Sequence, residues 1–168
     1  PTNEEPDTEL LLQTPTPEFL PTEPVPAGEP IVYDGWSMTV SKEINIDNYY
    51  KLWGVTVYLR NLGETNRIFR FTNAAVTAYD NLGNVYEPSG PKCIYNCTPC
   101  EDAYHLVKNL EIRGLERETI ESGKTYPSCE SVEGLGSFKG PIPLDAEYLI
   151  IHFDGFGPFT NVDVVIDL

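Results

Sequence analysis

Apolar and polar residues alternate with a period of two through much of the chain beyond residue 34. Trp36, Met38 and Val40 fall on one side of an extended segment, with Ser37, Thr39 and Ser41 on the other. Trp53, Val55, Val57 and Leu59 repeat the pattern opposite Thr56, Tyr58 and Arg60, and Asn61-Leu-Gly63 ends the run. Ile68 to Phe71 and Ala74 to Tyr79 read as short strands. Asp80-Asn-Leu-Gly-Asn84 reads as a hairpin turn, because Asn and Gly tolerate positive φ, and Val85 to Glu87 is the return strand that Pro88 stops. Further on, Glu121 to Lys124 is a turn, Thr125 to Glu130 a strand, and Gly134 to Pro143 a Gly/Pro loop. Tyr148 to Phe153 turns Leu149, Ile151 and Phe153 inward, and Val162 to Leu168 places Val162, Val164 and Ile166 on one face.

The pattern predicts an all-β fold of seven or eight short strands and no long helix. Two packed antiparallel sheets are the direct way to bury these faces, and an antiparallel β-sandwich over 31–168 is the expected architecture. A stretch from Pro88 to about residue 105 lacks periodicity and reads as an insertion, with Leu106 to Leu110 a single helical turn and Glu111 to Gly114 an extended piece.

The first thirty residues differ in kind. They hold eight of the fifteen prolines, seven carboxylates and no Lys or Arg. Proline fixes φ and biases the preceding residue toward extended backbone, so residues 1–30 are expected to form a polyproline-II leader, stretched further by like charge. Leu10, Leu11, Leu12, Phe19 and Leu20 are too apolar for an inert spacer. They are candidate anchors, either on the leader's own domain or as a strand added to a neighbour's sheet.

Charge narrows the partners. The chain of 168 residues carries a net charge of −15, of which −8 belongs to the part after residue 30. Phosphate backbones and anionic membranes would repel it, which excludes nucleic acid as a partner and leaves cations, basic proteins or water. No segment approaches the ~20 apolar residues of a membrane-spanning helix. The start at Pro1, the four cysteines and the sequon Asn96-Cys97-Thr98 with its glycosylation candidate Asn96 together suggest an exported protein whose signal segment has been removed.

Trp36 to Val40, the run Gly54 to Gly63, and Ala78-Tyr-Asp-Asn-Leu-Gly-Asn-Val-Tyr-Glu-Pro88 resemble the immunoglobulin-like surface-lipoprotein modules of unknown function in prokaryotes. In those modules a hydrophobic strand ends in Asn-x-Gly, and an Asp-x-x-Gly-x-x-Tyr hairpin follows. Glu121 to Lys124 and Pro141 to Phe153 match the later turn and strand. The similarity spans about residues 35 to 168. This chain departs from it in the cysteine-bearing insertion and in having no lipobox cysteine at its start. The resemblance implies a sandwich fold and a secreted or cell-surface location, and transfers no catalytic or binding residues.

Cys93, Cys97, Cys100 and Cys129 admit several chemistries. Cys93-x₃-Cys97-x₂-Cys100 has the spacing of an iron–sulfur triad in radical enzymes, but such enzymes need a large α/β barrel. Four thiols with a Cys97-x₂-Cys100 knuckle are a candidate zinc site, weakened by the isolation of Cys129. A redox pair at Cys97 and Cys100 lacks the helix that would lower a thiol's pKa. Two structural disulfides of unassigned pairing are the preferred reading.

Catalysis finds little footing. His105 and His152 are the only histidines, and neither a Gly-x-Ser-x-Gly elbow nor a His-Glu-x-x-His motif occurs. Asp80, Asn81 and Asn84 could offer oxygens to calcium, as could Asp145, Glu147 and Asp154, but the spacing completes no loop motif and an Asx hairpin explains the first cluster. Phe156 and Phe159, with Tyr33, Tyr49 and Tyr50, could stack on sugars or anchor a partner, or could fold back over the sandwich end. The expectation is therefore a non-enzymatic, cofactor-free surface protein acting on other protein subunits, copies of itself among them. A module for glycan or calcium is the alternative.

Overall fold

The computed structural model describes residues 19–49, 51–71, 75–88, 116–123, 125–127 and 137–168. Among them there is no α-helix, and the period-two segments are strands. In chain order these are β1 (Val25–Pro26), β2 (Ile31–Tyr33), β3 (Trp36–Asp47), β4 (Leu52–Asn61), β5 (Arg67–Phe71), β6 (Val76–Asp80), β7 (Val85–Tyr86), β8 (Glu116–Ile120), β9 (Thr125–Pro127), β10 (Ser137–Lys139), β11 (Tyr148–Phe153) and β12 (Val162–Asp167). Twelve strands exceed the expected seven or eight because five of them are only two or three residues long, too short to show a period.

One five-stranded sheet has the order β1-β12-β11-β6-β7, antiparallel except for the parallel β1–β12 pair. The other runs β10-β4-β3-β2, and β9 shares the β10 edge of β4, pairing Tyr58 to Arg60 while β10 pairs Leu52 to Gly54. A two-stranded sheet, β5-β8, is separate.

Inward residues of both five-stranded sheets form one core. Met38 and Val40 of β3 and Val55, Val57 and Leu59 of β4 join Ala78 of β6, Leu149 and Ile151 of β11, and Val164 and Ile166 of β12. Each of these side chains larger than alanine contributes about 1.5–3 kcal/mol on leaving water. Aromatic clusters close both ends. Trp36, Phe69, Phe71, Phe153 and Phe156 stack edge-on or tilted at one end, and Trp53 packs on Phe138 at 4.6 Å and Tyr86 at 5.1 Å at the other. The Trp53 indole N–H, fully buried, has no hydrogen-bond partner among the described residues.

Four features depart from the sequence pattern. The loop expected over 134–143 contains β10, whose Phe138 is completely buried between Trp53 and the bridge to Pro88. β2 stands ahead of the first expected strand. It is joined to β3 by the two-residue turn Asp34-Gly35, with φ of 49° and 70°, which is the geometry of a type I′ hairpin. β3 runs on past Ser41 through an irregularity between Val40 and Ile44, where Ser41 Oγ accepts a bond from the Glu43 amide. Two extra residues keep the period of two, so Ile44 stays on the face of Met38 and Val40 and packs on the core.

The fourth is the end of the leader, where Val25–Pro26 is a strand of the chain's own sheet. Ala27 donates its amide to Val165 and Gly28 donates to Val40 of the opposite sheet, so the chain crosses from one layer to the other within two residues. Positive φ at Gly28, 87°, favours glycine there, and a Cβ would also have to displace the Lys42 side chain.

Candidate interaction face

Register gives the outer face of the five-stranded sheet a pattern that no single strand shows. Val85 pairs Tyr79, Tyr79 pairs Ile150, Ile150 pairs Val165, and Val165 pairs Pro26. Directly opposed residues share a face, so these five side chains form a continuous apolar row across all five strands. Ile150, in the middle, is shielded to 5 % exposure, whereas Tyr79 and Val85 at one end are 37 % and 76 % exposed. Tyr148, two residues from Ile150 on the same face, is 38 % exposed.

The next row is polar. Thr77 pairs His152, and His152 pairs Asp163. The His152 ring N–H at Nδ1 donates to Asp163 Oδ1 at 2.7 Å, and the Tyr79 hydroxyl reaches Asp163 Oδ2 at 3.5 Å. Burial, and then the charge of Asp163, hold the Tyr79 hydroxyl above the usual tyrosine range. His152 therefore faces outward as its strand position requires, but it is oriented by a carboxylate and not by solvent alone. Asp163 is engaged by two side chains and is fixed in place.

Under the exposed end of the row lies a buried carboxylate that accepts four hydrogen bonds. Asp80 is buried, and its Oδ1 accepts the backbone amides of Leu82 and Asn84, both at 2.9 Å. Its Oδ2 accepts the Asn84 side-chain amide at 2.8 Å and the Tyr86 hydroxyl at 2.6 Å. Burial opposes ionisation, but the bonds from Tyr86, the Asn84 side chain and the two amides outweigh it and keep the carboxyl below the ordinary Asp value. The same burial and charge push the Tyr86 hydroxyl well above its ordinary range. Asn81 Oδ1 accepts the amide of Glu147 at 2.8 Å, tying the turn to the start of β11. Every oxygen of Asp80 is thus committed to a donor, and Asn84 presents its amide nitrogen to Asp80. The turn holds the Tyr79 and Val85 strands in register.

The other candidates are distributed as follows. Leu10, Leu11, Leu12, Cys93, Asn96, Cys97, Cys100, His105 and Cys129 lie outside the described residues. Leu20 is half-buried against the core, while Phe19 is 78 % exposed. Phe156 and Phe159 are fully buried and bridge one another in the aromatic end cluster, so they present no loop surface. Asp145, Glu147 and Asp154 are exposed, and no group of three or more His, Cys, Asp or Glu side chains is assembled for a metal among the described residues. The apolar row escapes sequence reading because β6, β7, β11 and β12 each contribute one residue to it, and only register aligns them.

No family model matches this sequence, and no curated protein sequence matches it. Among solved structures the chain is similar to the crystal structure of the yjhA protein from Bacillus subtilis. The two are 14 % identical, and the match covers 86 % of this chain and 98 % of that one with a TM-score of 0.45. A score at that level carries no argument about fold or function here.

Proposed function

We propose that this chain is a non-enzymatic, secreted or cell-surface β-sandwich module that works by protein–protein contact, with the outer face of its five-stranded sheet as the contact surface. The observation that carries this reading is the row Val85, Tyr79, Ile150, Val165 and Pro26, an apolar stripe across a sheet face, exposed at its Tyr79 and Val85 end and buried at Ile150 in its middle. Apolar stripes flanked by polar groups are how proteins mark surfaces for other proteins.

An immunoglobulin-like sandwich of the surface-lipoprotein kind is the proposed subtype. The order β12-β11-β6 supports it, matching the G-F-C order of that fold. β4 is a departure, since it lies beside β3 where an immunoglobulin sandwich places a strand from later in the chain. Disulfides among Cys93, Cys97, Cys100 and Cys129, and a tethering leader, complete the proposal. Assembly of copies through the leader is a second reading. It is favoured by β1, which demonstrates that leader residues can add to a sheet edge.

Site-specific photo-crosslinking tests the contact surface. A benzophenone side chain at position 85 or 148 should give discrete protein adducts in cells that make the protein, and one at Val32 on the opposite sheet should not. Equal labelling at the three positions, or none at 85 and 148, would overturn the assignment.

A further inference from the structure

Resting on the contact reading above, we infer that the occupant of this face is a basic protein surface, one that offers apolar side chains interleaved with Lys or Arg, and not a second copy of the chain. The argument is electrostatic. None of the eleven Lys and Arg residues falls in the five strands of this sheet, and none occurs after Lys139. The carboxylates are there instead. Asp163 and Asp167 stand on β12, Asp145 and Glu147 precede β11, and Glu87, paired with Lys139 at 3.6 Å, follows β7. His152 is the sole basic side chain in the sheet, and it is engaged by Asp163.

An apolar stripe whose flanking carboxylates outnumber the cations at its edges, Lys139 beside Glu87 and Lys42 beside Pro26 and Asp167, attracts a partner of opposite sign and repels one of its own. A second copy presenting the same face would bring two sets of these carboxylates into one interface, with no Lys or Arg on the strands of either apposed sheet between them. The chain's own leader, with seven carboxylates and no cation, is disfavoured on the same ground.

Size sets the strength. With strands ~4.8 Å apart, β11 and β12 six residues long, β6 five, and β1 and β7 two each, the face covers roughly 300–350 Å². Stable complexes bury about 800 Å² per partner, so the expected affinity is micromolar, with charge supplying specificity and association rate.

The probe is a blocked twelve-residue peptide alternating Val and Lys, titrated into the full chain beside Val-Glu and Ser-Lys peptides of equal length. The Val-Lys peptide should bind at least tenfold more tightly than either control. Its binding should weaken between 0.1 and 1 M salt, as the screening length falls from about 10 Å to about 3 Å. Val85→Ser combined with Tyr79→Ser should weaken it at least tenfold, and Asp167→Lys should weaken it several-fold, with circular dichroism confirming the fold. Val85→Ser alone, at an exposed position, keeps the test alive if the double variant unfolds. Equal binding of Val-Lys and Ser-Lys peptides, or variants that bind like the parent, would overturn the inference. Self-association in sedimentation velocity that Val85→Ser abolishes would make a second copy the occupant, overturning the basic partner but leaving the contact surface intact. Absence of crosslinks at position 85 would remove both.

Discussion

Asp80 and Tyr86 show how much of the hairpin's stability rests on one buried hydrogen bond. Tyr86→Phe removes a donor at 2.6 Å from a carboxylate and should cost about 2 kcal/mol, the usual range for a bond to a charged group. In a chain of this size that lowers the melting temperature by about 4–8 °C. Its pH dependence has a defined sign. The Asp80 carboxyl sits below its unfolded value, so its contribution is complete above about pH 4 and is lost as pH falls through the folded value. Tyr86 is raised, so its contribution is complete below about pH 10 and disappears as pH rises through its folded value. Melting curves from pH 2 to 11 should show the acid loss and the onset of the alkaline one, and Tyr86→Phe should shallow the acid limb and remove this residue's share of the alkaline onset. Two glycines offer a sharper contrast at the same scale. A Cβ on Gly157 would lie within 2.4 Å of two Phe69 ring carbons, whereas one on Gly155 would meet nothing within 4 Å. Both have positive φ, which costs alanine about 1–2 kcal/mol. Gly155→Ala should lose only that, and Gly157→Ala at least about 3 kcal/mol as the aromatic cluster is displaced. Similar losses for the two would mean that Phe69 is not held as described.

At the level of elements, the leader and the sheet are not separable at residue 30. Val25–Pro26 completes the edge of the five-stranded sheet, Ala27 is buried, and two backbone bonds follow from Ala27 and Gly28. A chain starting at residue 28 should therefore melt lower than one starting at residue 19, by about 2–4 kcal/mol of lost packing and hydrogen bonds. Equal melting would show that β1 adds nothing to the sheet. Elements long enough to alternate were legible: β3, β4, β11 and β12 declare their inner faces through Trp36, Val55, Ile151 and Val164. Those set by tertiary context were not. Phe138 is a single apolar residue between glycines and prolines, and it becomes a strand only because β4 offers a free edge. Ile31 to Tyr33 is three residues long, and its signal was the Asp34-Gly35 turn more than its own pattern. β3 outruns its period because a local irregularity absorbs Lys42 and Glu43. The candidate face was the least legible of all, since it exists only in the pairing of strands up to 140 residues apart in sequence, Pro26 beside Val165 among them.

Across the whole molecule the two layers carry different charge. Cations gather on the β3–β4 side, on β5 and in the remaining segments, and the five-stranded layer holds carboxylates around an apolar row. The short edge strands β1 and β7, two residues each, leave little backbone for unplanned sheet extension. Chemical-shift mapping of the isotopically labelled full chain with the Val-Lys peptide tests this account most directly. The prediction is a contiguous set of perturbed amides at Tyr79, Val85, Ile150, His152 and Val165. Perturbations confined to the acidic leader, or spread over β3 and β4, would contradict it.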